Sequence, residues 1–473
     1  MAKRKVLKIT PILITLNLIV LFAIVGFYTF RLVKYYLIEN GGGNDDSATL
    51  LVDEIKKKQS FLDETKGLVF DEEKNVFKYK GQVEDNYVLY SGMLFRIVAI
   101  DNENNIRMVS EDNVTLLYPG FNDGYDKSYV NKWLNKSEEE HSGIYENELL
   151  NSEELLTETY MCSDKIDDVS NITCEEYYMT KKITLLSLND FKEAGGKSSY
   201  LYNGNMYYFG TLNSSNQQYF INEDGEIAIN KKSSRLVSVK PVITLNSEVE
   251  LIEGNGKKDS PYIIEKHDIK TAHDLYINDI VKLNDYNYKV VSVGEDKVKL
   301  ALIGVLKDGE NDLSMSFGGS NSAYSTSKNT LGGYLNSTFL DSNDLKDAFV
   351  ESEWYTNKLS LTSLDYSNVY KSSTKAKVGM LSIADMYVND EKNVFTLLRG
   401  MEASNIIEVI NKDGILFGDK ITAKYNVRPA FYLKGDLIIK SGKGTLEEPY
   451  ELGVEEKNET KEGTEKESKT KEE

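Results

Sequence analysis

Chemistry-bearing residues are scarce in this chain. Of 473 residues, three are His, two are Cys, two are Trp and six are Pro. His141 stands in an acidic loop, and His267 and His273 lie six apart with no Cys beside them. That spacing speaks against a His/Cys zinc site. No G-x-S-x-G, H-E-x-x-H or phosphate-binding glycine loop appears, so no hydrolase elbow, zinc protease or nucleotide cradle is encoded. Gly254-Asn255-Gly256 and Gly442-Lys443-Gly444 follow strand-like runs but open no helix, and read as turns. Carboxylates are abundant, yet no one pair stands out for acid–base work. Positive charge is also short: 56 Lys and Arg against 75 Asp and Glu leave a net charge of −19. Nucleic acid is therefore excluded as an expected partner.

Long apolar runs are missing as well, with one exception. Residues 9–30 (ITPILITLNLIVLFAIVGFYTF) contain no charged side chain. As a helix they would reach roughly 33 Å, enough for a bilayer core of about 30 Å. Lys3, Arg4, Lys5 and Lys8 precede the run, so the expectation is a single-pass anchor with residues 1–8 in the cytoplasm and the rest outside the cell membrane. The exit sequence has no small-residue cleavage pattern, which argues against a removed signal. Residues 1–38 carry six positive charges and no acidic ones, so the remainder carries −25.

What the chain does have is repetition. VKPVITL at 239–245 answers VRPAFYL at 427–433, and each is followed at the same distance by the glycine turn and a Pro-Tyr pair, Pro261-Tyr262 and Pro449-Tyr450. Val239, Pro241, Leu245, Gly254, Gly256, Pro261 and Tyr262 all recur 188 positions later. Upstream, NEDG at 222–225 answers NKDG at 411–414, ITLLSLNDF at 183–191 answers VGMLSIADM at 378–386, Trp133-Leu134-Asn135 answers Tyr334-Leu335-Asn336, and LFRIVAI at 94–100 answers NYKVVSV at 287–293. The organisation expected is a stalk over 31–81, a first copy over 82–265, a linker over 266–276 and a second copy over 277–452. Strand-like ends with short amphipathic helices near Ser128–Asn135 and Leu188–Glu193 give an α+β fold class. Leu51, Ile55 and Leu62 follow a helical stripe within the stalk. Residues 453–473 close the chain as a charged tail with almost nothing to bury, expected to be disordered.

Three further features bear on sites. Cys162 and Cys174 lie twelve apart in a polar loop, where a disulfide would limit the loop's freedom. Asp164, Asp167, Asp168 and Asn171 in that loop make calcium the one cofactor worth naming, but the spacing matches no EF-hand and a solvated acidic loop is the better reading, so no cofactor is expected. The 31 Tyr can stack on sugars or on a protein partner, or fill a strand-rich core.

Several boxes resemble a family of bacterial extracytoplasmic domains of unknown function. They are Asn86-Tyr87-Val88 with Ser91-Gly92-Met93-Leu94-Phe95-Arg96-Ile97, Trp133-Leu134-Asn135, Leu185-Leu186-Ser187, Leu398-Arg399-Gly400 and Val427-Arg428-Pro429-Ala430. That family is distantly similar to the formylglycine-generating enzyme and to C-type-lectin-like folds, which implies tandem α+β domains with irregular loops. The enzyme's chemistry does not carry over, because its reactive Cys pair comes late in the domain and the second copy here has no Cys. Arg399 and Arg428, aligned with Gly210 and Lys240, are the residues that would touch a ligand, or else hold buried ion pairs. The expected function is non-enzymatic binding of an envelope protein or glycan by the tandem domains. The alternatives are an enzyme acting on envelope polymers or an architectural subunit of a membrane complex.

Overall fold

The computed structural model describes residues 49–455, apart from 61–62, 118–124, 163, 175–176, 231–236, 267, 360–365, 383–384, 387–392, 401–403 and 413–414. The α+β expectation is overturned: strands account for 38% of the chain and helices for 15%. Short helices do form at Tyr129–Leu134 and Leu188–Ala194, but no helical stretch exceeds that of 331–341. The physical reason is the density of Tyr, Val and Ile in alternating runs, which favours pleated pairing and leaves helices as single plugs at sheet ends. The membrane expectation is corrected with it. Among the described residues no helix is long and apolar enough to cross a membrane, so the single-pass topology and the location built on it are not supported. Residues 9–30 themselves, like the tail from 456 onward, lie outside the described residues.

Two main sheets share one strand order. In the first, Tyr87–Tyr90, Met93–Ile100, Ile106–Ser110 and Pro241–Leu245 run antiparallel in that sequence. Tyr262–Ile263 adds in parallel to the outer edge, and both Leu156–Thr157 and Ile183–Leu185 pair with Pro241–Leu245. In the second, Ile280–Leu283, Tyr286–Val293, Lys297–Leu302 and Ala430–Lys434 repeat the meander. Tyr450–Gly453 adds in parallel, and Phe349–Val350 and Val378–Gly379 pair with Ala430–Lys434. Each half also has a smaller sheet. Its order is 227–229, 218–221, 207–212, 237–238, 116–117 in one, and 416–420, 406–410, 394–400, 424–426, 314–316 in the other. The hairpin Gly67–Asp71 with Val76–Lys80 extends the first main sheet through Met93–Ile100. The helix Leu51–Lys56 buries Leu51, Val52 and Ile55 on the same core, and Leu51 N–H donates to the Val249 carbonyl at 2.9 Å. Buried side chains of both halves form one continuous cluster.

The recurring boxes turn out to be the pins of this framework. Gly254 and Gly442 have φ of +97° and +98°, and a Cβ there would stand 1.8 and 2.2 Å from the carbonyl oxygens of Pro261 and Pro449. Only glycine permits that backbone and that approach. The carbonyls of Gly256 and Gly444 then accept the N–H groups of Tyr87 and Ile280 and so seat the first strand of each copy. Asn135 grips Ile183 on both sides, its amide donating to the carbonyl at 2.9 Å and its oxygen accepting the N–H at 3.0 Å. Asn336 grips Val378 with the same two distances. In the first copy Arg96 is the centre of a buried set. It donates to Asn86 Oδ1 at 2.7 Å, the Tyr87 hydroxyl at 2.9 Å and the Val83 carbonyl at 2.7 Å. A fork with five fixed donors suits such a junction.

A candidate ligand cleft between the two copies

Among the described residues, a cavity of about 300 Å³ is bordered by both copies. One wall is the segment after the helix Tyr129–Leu134. Gly143 N–H donates to the Lys132 carbonyl and Tyr145 N–H to that of Trp133, folding 136–148 back over the helix and carrying His141 outward with φ of +59°. The His141 ring lies flat on Tyr370 at 4.0 Å and 10°, with Tyr355 edge-on at 5.0 Å. Tyr355 and Tyr370 close the triangle at 5.1 Å. These rings join the first copy to the hairpin Ser352–Tyr355/Ser373–Ala376 of the second.

The floor comes from the second copy's central strand. Lys299 reaches Asp385 at 2.5 Å and lies 5.2 Å from the Trp354 ring and 5.5 Å from the Tyr432 ring. Asp385 is itself positioned by the Ser382 N–H at 2.7 Å. Trp354 is buried, donates Nε1–H to the Ala376 carbonyl at 3.0 Å and rests on Gly379, where a Cβ would come within 2.4 Å of the ring. Burial works against the Lys299 charge, but Asp385 and the Tyr432 hydroxyl outweigh it and hold the ammonium on.

Glu148 crosses the junction. Its Oε2 accepts the Val293 N–H at 3.0 Å. The residue is half-buried, with the carboxyl its enclosed end, and burial pushes that carboxyl up to about 7 against the pull of Ser292, the Val293 N–H and Lys299. Burial also pushes Tyr355 and Tyr370 up and lowers His141, which is therefore mostly neutral at pH 7. The cleft thus combines aromatic edges, a carboxyl able to donate or accept, one lysine already paired, and the polar groups of Ser142, Asn147, Ser292 and Ser382.

The residues singled out from the sequence lie elsewhere. Cys162 and Cys174 are joined, with Cα atoms 5.8 Å apart, and close the loop of the hairpin Thr159–Cys162/Tyr177–Lys181. Asp164 converges with the two sulfurs, but sulfurs engaged with each other are not the thiolates a metal ligates. Asp167 accepts Ser214 N–H and Oγ–H, and Asp168 accepts Ser170 N–H and Oγ–H. These two carboxylates line an open recess with Asp164 and Asn171. Arg428 is buried and its Nε–H donates to the Leu302 carbonyl at 2.8 Å, which puts it in the core. Lys240, its counterpart, is also buried, over the Tyr207 ring, and burial lowers it to about 8. Arg399 sits opposite Ile407 and beside Lys358; its side chain is outside what the structure describes. Leu212 sits opposite Gln218 in the matching place, so the ladders make Leu212, and not Gly210, its counterpart.

The cleft residues were not singled out from the sequence, because each is unremarkable alone. A signal was available in the alignment of the copies: Tyr432 stands where the first copy has Thr244, and Lys299 where it has Arg107. No family model, curated protein or solved structure matches this chain.

Proposed function

We propose that this chain is a non-catalytic binding protein whose two copies act as one unit, holding a glycan in the cleft between them. The observation that carries the reading is the shared construction of that cleft: His141 and Glu148 come from the first copy, and Lys299, Trp354, Tyr355, Tyr370 and Tyr432 from the second. Aromatic edges beside a few convergent polar groups suit a sugar ring, which is apolar on its faces and hydroxylated at its rim. A pocket made of two domains also explains why neither copy would serve alone. The test is retention of the full chain on an array of immobilised glycans, alongside Tyr370→Ala. Binding that the substitution reduces at least tenfold supports the reading; no glycan retained, or retention unchanged in the variant, removes it.

A hydrolytic reading has one observation in its favour, since Glu148, held near pH 7, shares the hollow with the ion-paired Asp385. Carboxyls in such different surroundings can divide acid and base roles. New reducing ends appearing from a retained glycan, and lost in Glu148→Gln, would favour it over simple binding.

A further inference from the structure

The charges around the cleft narrow the ligand. Three carboxylates, Glu148, Glu353 and Asp385, border it, while the only Lys or Arg among its described lining residues, Lys299, is already taken by Asp385. Nearby, Lys297 donates to Ser352 Oγ at 3.2 Å and lies over the outer Tyr432 ring at 4.7 Å. Behind His141, Glu140 and Lys132 act on it with opposite signs. A phosphate, sulfate or uronate entering here would face carboxylates with no uncommitted cation to meet it. A purely apolar group would cover the carboxyl groups of Glu148 and Glu353 without bringing a charge partner to either, which costs free energy. An ammonium group meets both demands, because it pairs with carboxylates and is attracted to aromatic faces.

We infer that the cleft takes an amino sugar, its ammonium group held between Glu148 and Glu353 and its ring set against Tyr355 and Tyr370. This rests on the glycan-binding reading above and names the sugar class. The ring is favoured over a lysine side chain of a partner because Ser142, Asn147, Ser292 and Ser382 border the hollow, and ring hydroxyls can add hydrogen bonds to such groups where an alkyl arm cannot. The cavity is small, about 300 Å³, at the lower end of ligand sites and suited to one ring. Glu148 is the group that responds. Protonated in part at pH 7 when the cleft is empty, its carboxyl becomes the carboxylate that the ammonium group requires, and a proton is released to solvent.

Titration calorimetry on the full chain tests this with three probes of matched size: glucosamine, N-acetylglucosamine and the amide of Nα-acetyl-lysine. Wild type and Glu148→Gln are compared in two buffers of different ionisation enthalpy. Taking the difference between the two proteins cancels the sugar's own titration. The expected result is that glucosamine binds at least tenfold tighter than N-acetylglucosamine, with proton release in wild type that Glu148→Gln lacks and a preference that Glu148→Gln collapses. Glu353→Gln, at an exposed position that does not threaten folding, should lower glucosamine affinity several-fold. Equal binding of N-acetylglucosamine, or a preference untouched in Glu148→Gln, overturns the ammonium assignment. Equal binding of the lysine amide overturns the sugar. If the array retains a neutral or acidic glycan while glucosamine fails, this inference falls and glycan binding stands. An array with no glycan retained brings down both.

Discussion

The two copies differ at one equivalent place that bears on the cleft, the hairpin that leans on the central strands. In the first copy the strands Thr159–Cys162 and Tyr177–Lys181 are closed by the Cys162–Cys174 bond, and Met161 lies against Gly210, leaving no room even for a Cβ there. In the second, Ser352–Tyr355 and Ser373–Ala376 carry Trp354 and Tyr355, and the loop beyond them sends Tyr370 against His141 of the other copy. The same contrast runs beneath the hairpins. Arg107 makes a two-pronged pair with Asp190 at 2.6 and 3.0 Å, nearly closed from solvent. Lys299 makes a single contact with Asp385, at the floor of an open hollow. One framework has thus been filled and locked in one copy and opened in the other. The open volume on this scaffold follows from what the hairpin leaves unfilled and not from any change in strand order.

That comparison can be broken most decisively at the two ion pairs. Burial pushes the Asp190 carboxyl up, but Arg107 and the Ser187 N–H and hydroxyl more than offset it and hold it below the usual range. Asp190→Asn leaves the Arg107 charge enclosed and should cost about 4 kcal/mol in chemical denaturation. Asp385→Asn, whose partner sits beside an open cavity, should cost about 2 kcal/mol. Equal losses would mean that the second copy is as tightly closed as the first.

The disulfide comes next. Replacing both Cys162 and Cys174 with Ser frees a loop of twelve-residue separation, with an expected loss of about 3 kcal/mol. The glucosamine affinity of the distant cleft should stay within twofold. A variant that loses affinity in proportion to stability would show that the locked hairpin supports the open one.

The last effect is the pH dependence set by Glu148. Its carboxyl is raised from 4.5 unfolded to about 7 folded, so the folded protein binds the proton more tightly. The contribution is fully present below about pH 4.5 and is lost as pH rises through about 7. Wild type should therefore lose on the order of 2 kcal/mol relative to Glu148→Gln between pH 4.5 and 8, less than the full shift implies because the side chain is half-exposed. Parallel stability curves for the two proteins would show that the carboxyl is freely solvated and the junction looser than described.

How much was legible in the sequence depended on whether the information is local. Gly254 and Gly442 announce their turns because positive φ excludes other residues, and Ser187 with Asp190 announces the capping box that starts the helix Leu188–Ala194. The twelve-residue spacing of Cys162 and Cys174 was enough to suggest a closed loop. The fold class was misread because short amphipathic stretches look alike whether they extend or stop after two turns, and here sheet pairing stops them. Arg399 and Arg428 drew attention because arginine often meets ligands, yet Arg428 serves the Leu302 carbonyl in the core.

The cleft as an assembled site could not be read, even though Tyr432 and Lys299 depart from their counterparts Thr244 and Arg107. His141 and Tyr370 are 229 positions apart, and Glu148 and Val293 are 145 apart. No periodicity links them. Sequence alone determined the repeat and its glycine turns, because a positive φ is a local demand on one residue. Only the tertiary structure decided that one hairpin would be locked and the other left open, because that depends on which side chains from distant segments fill the same volume.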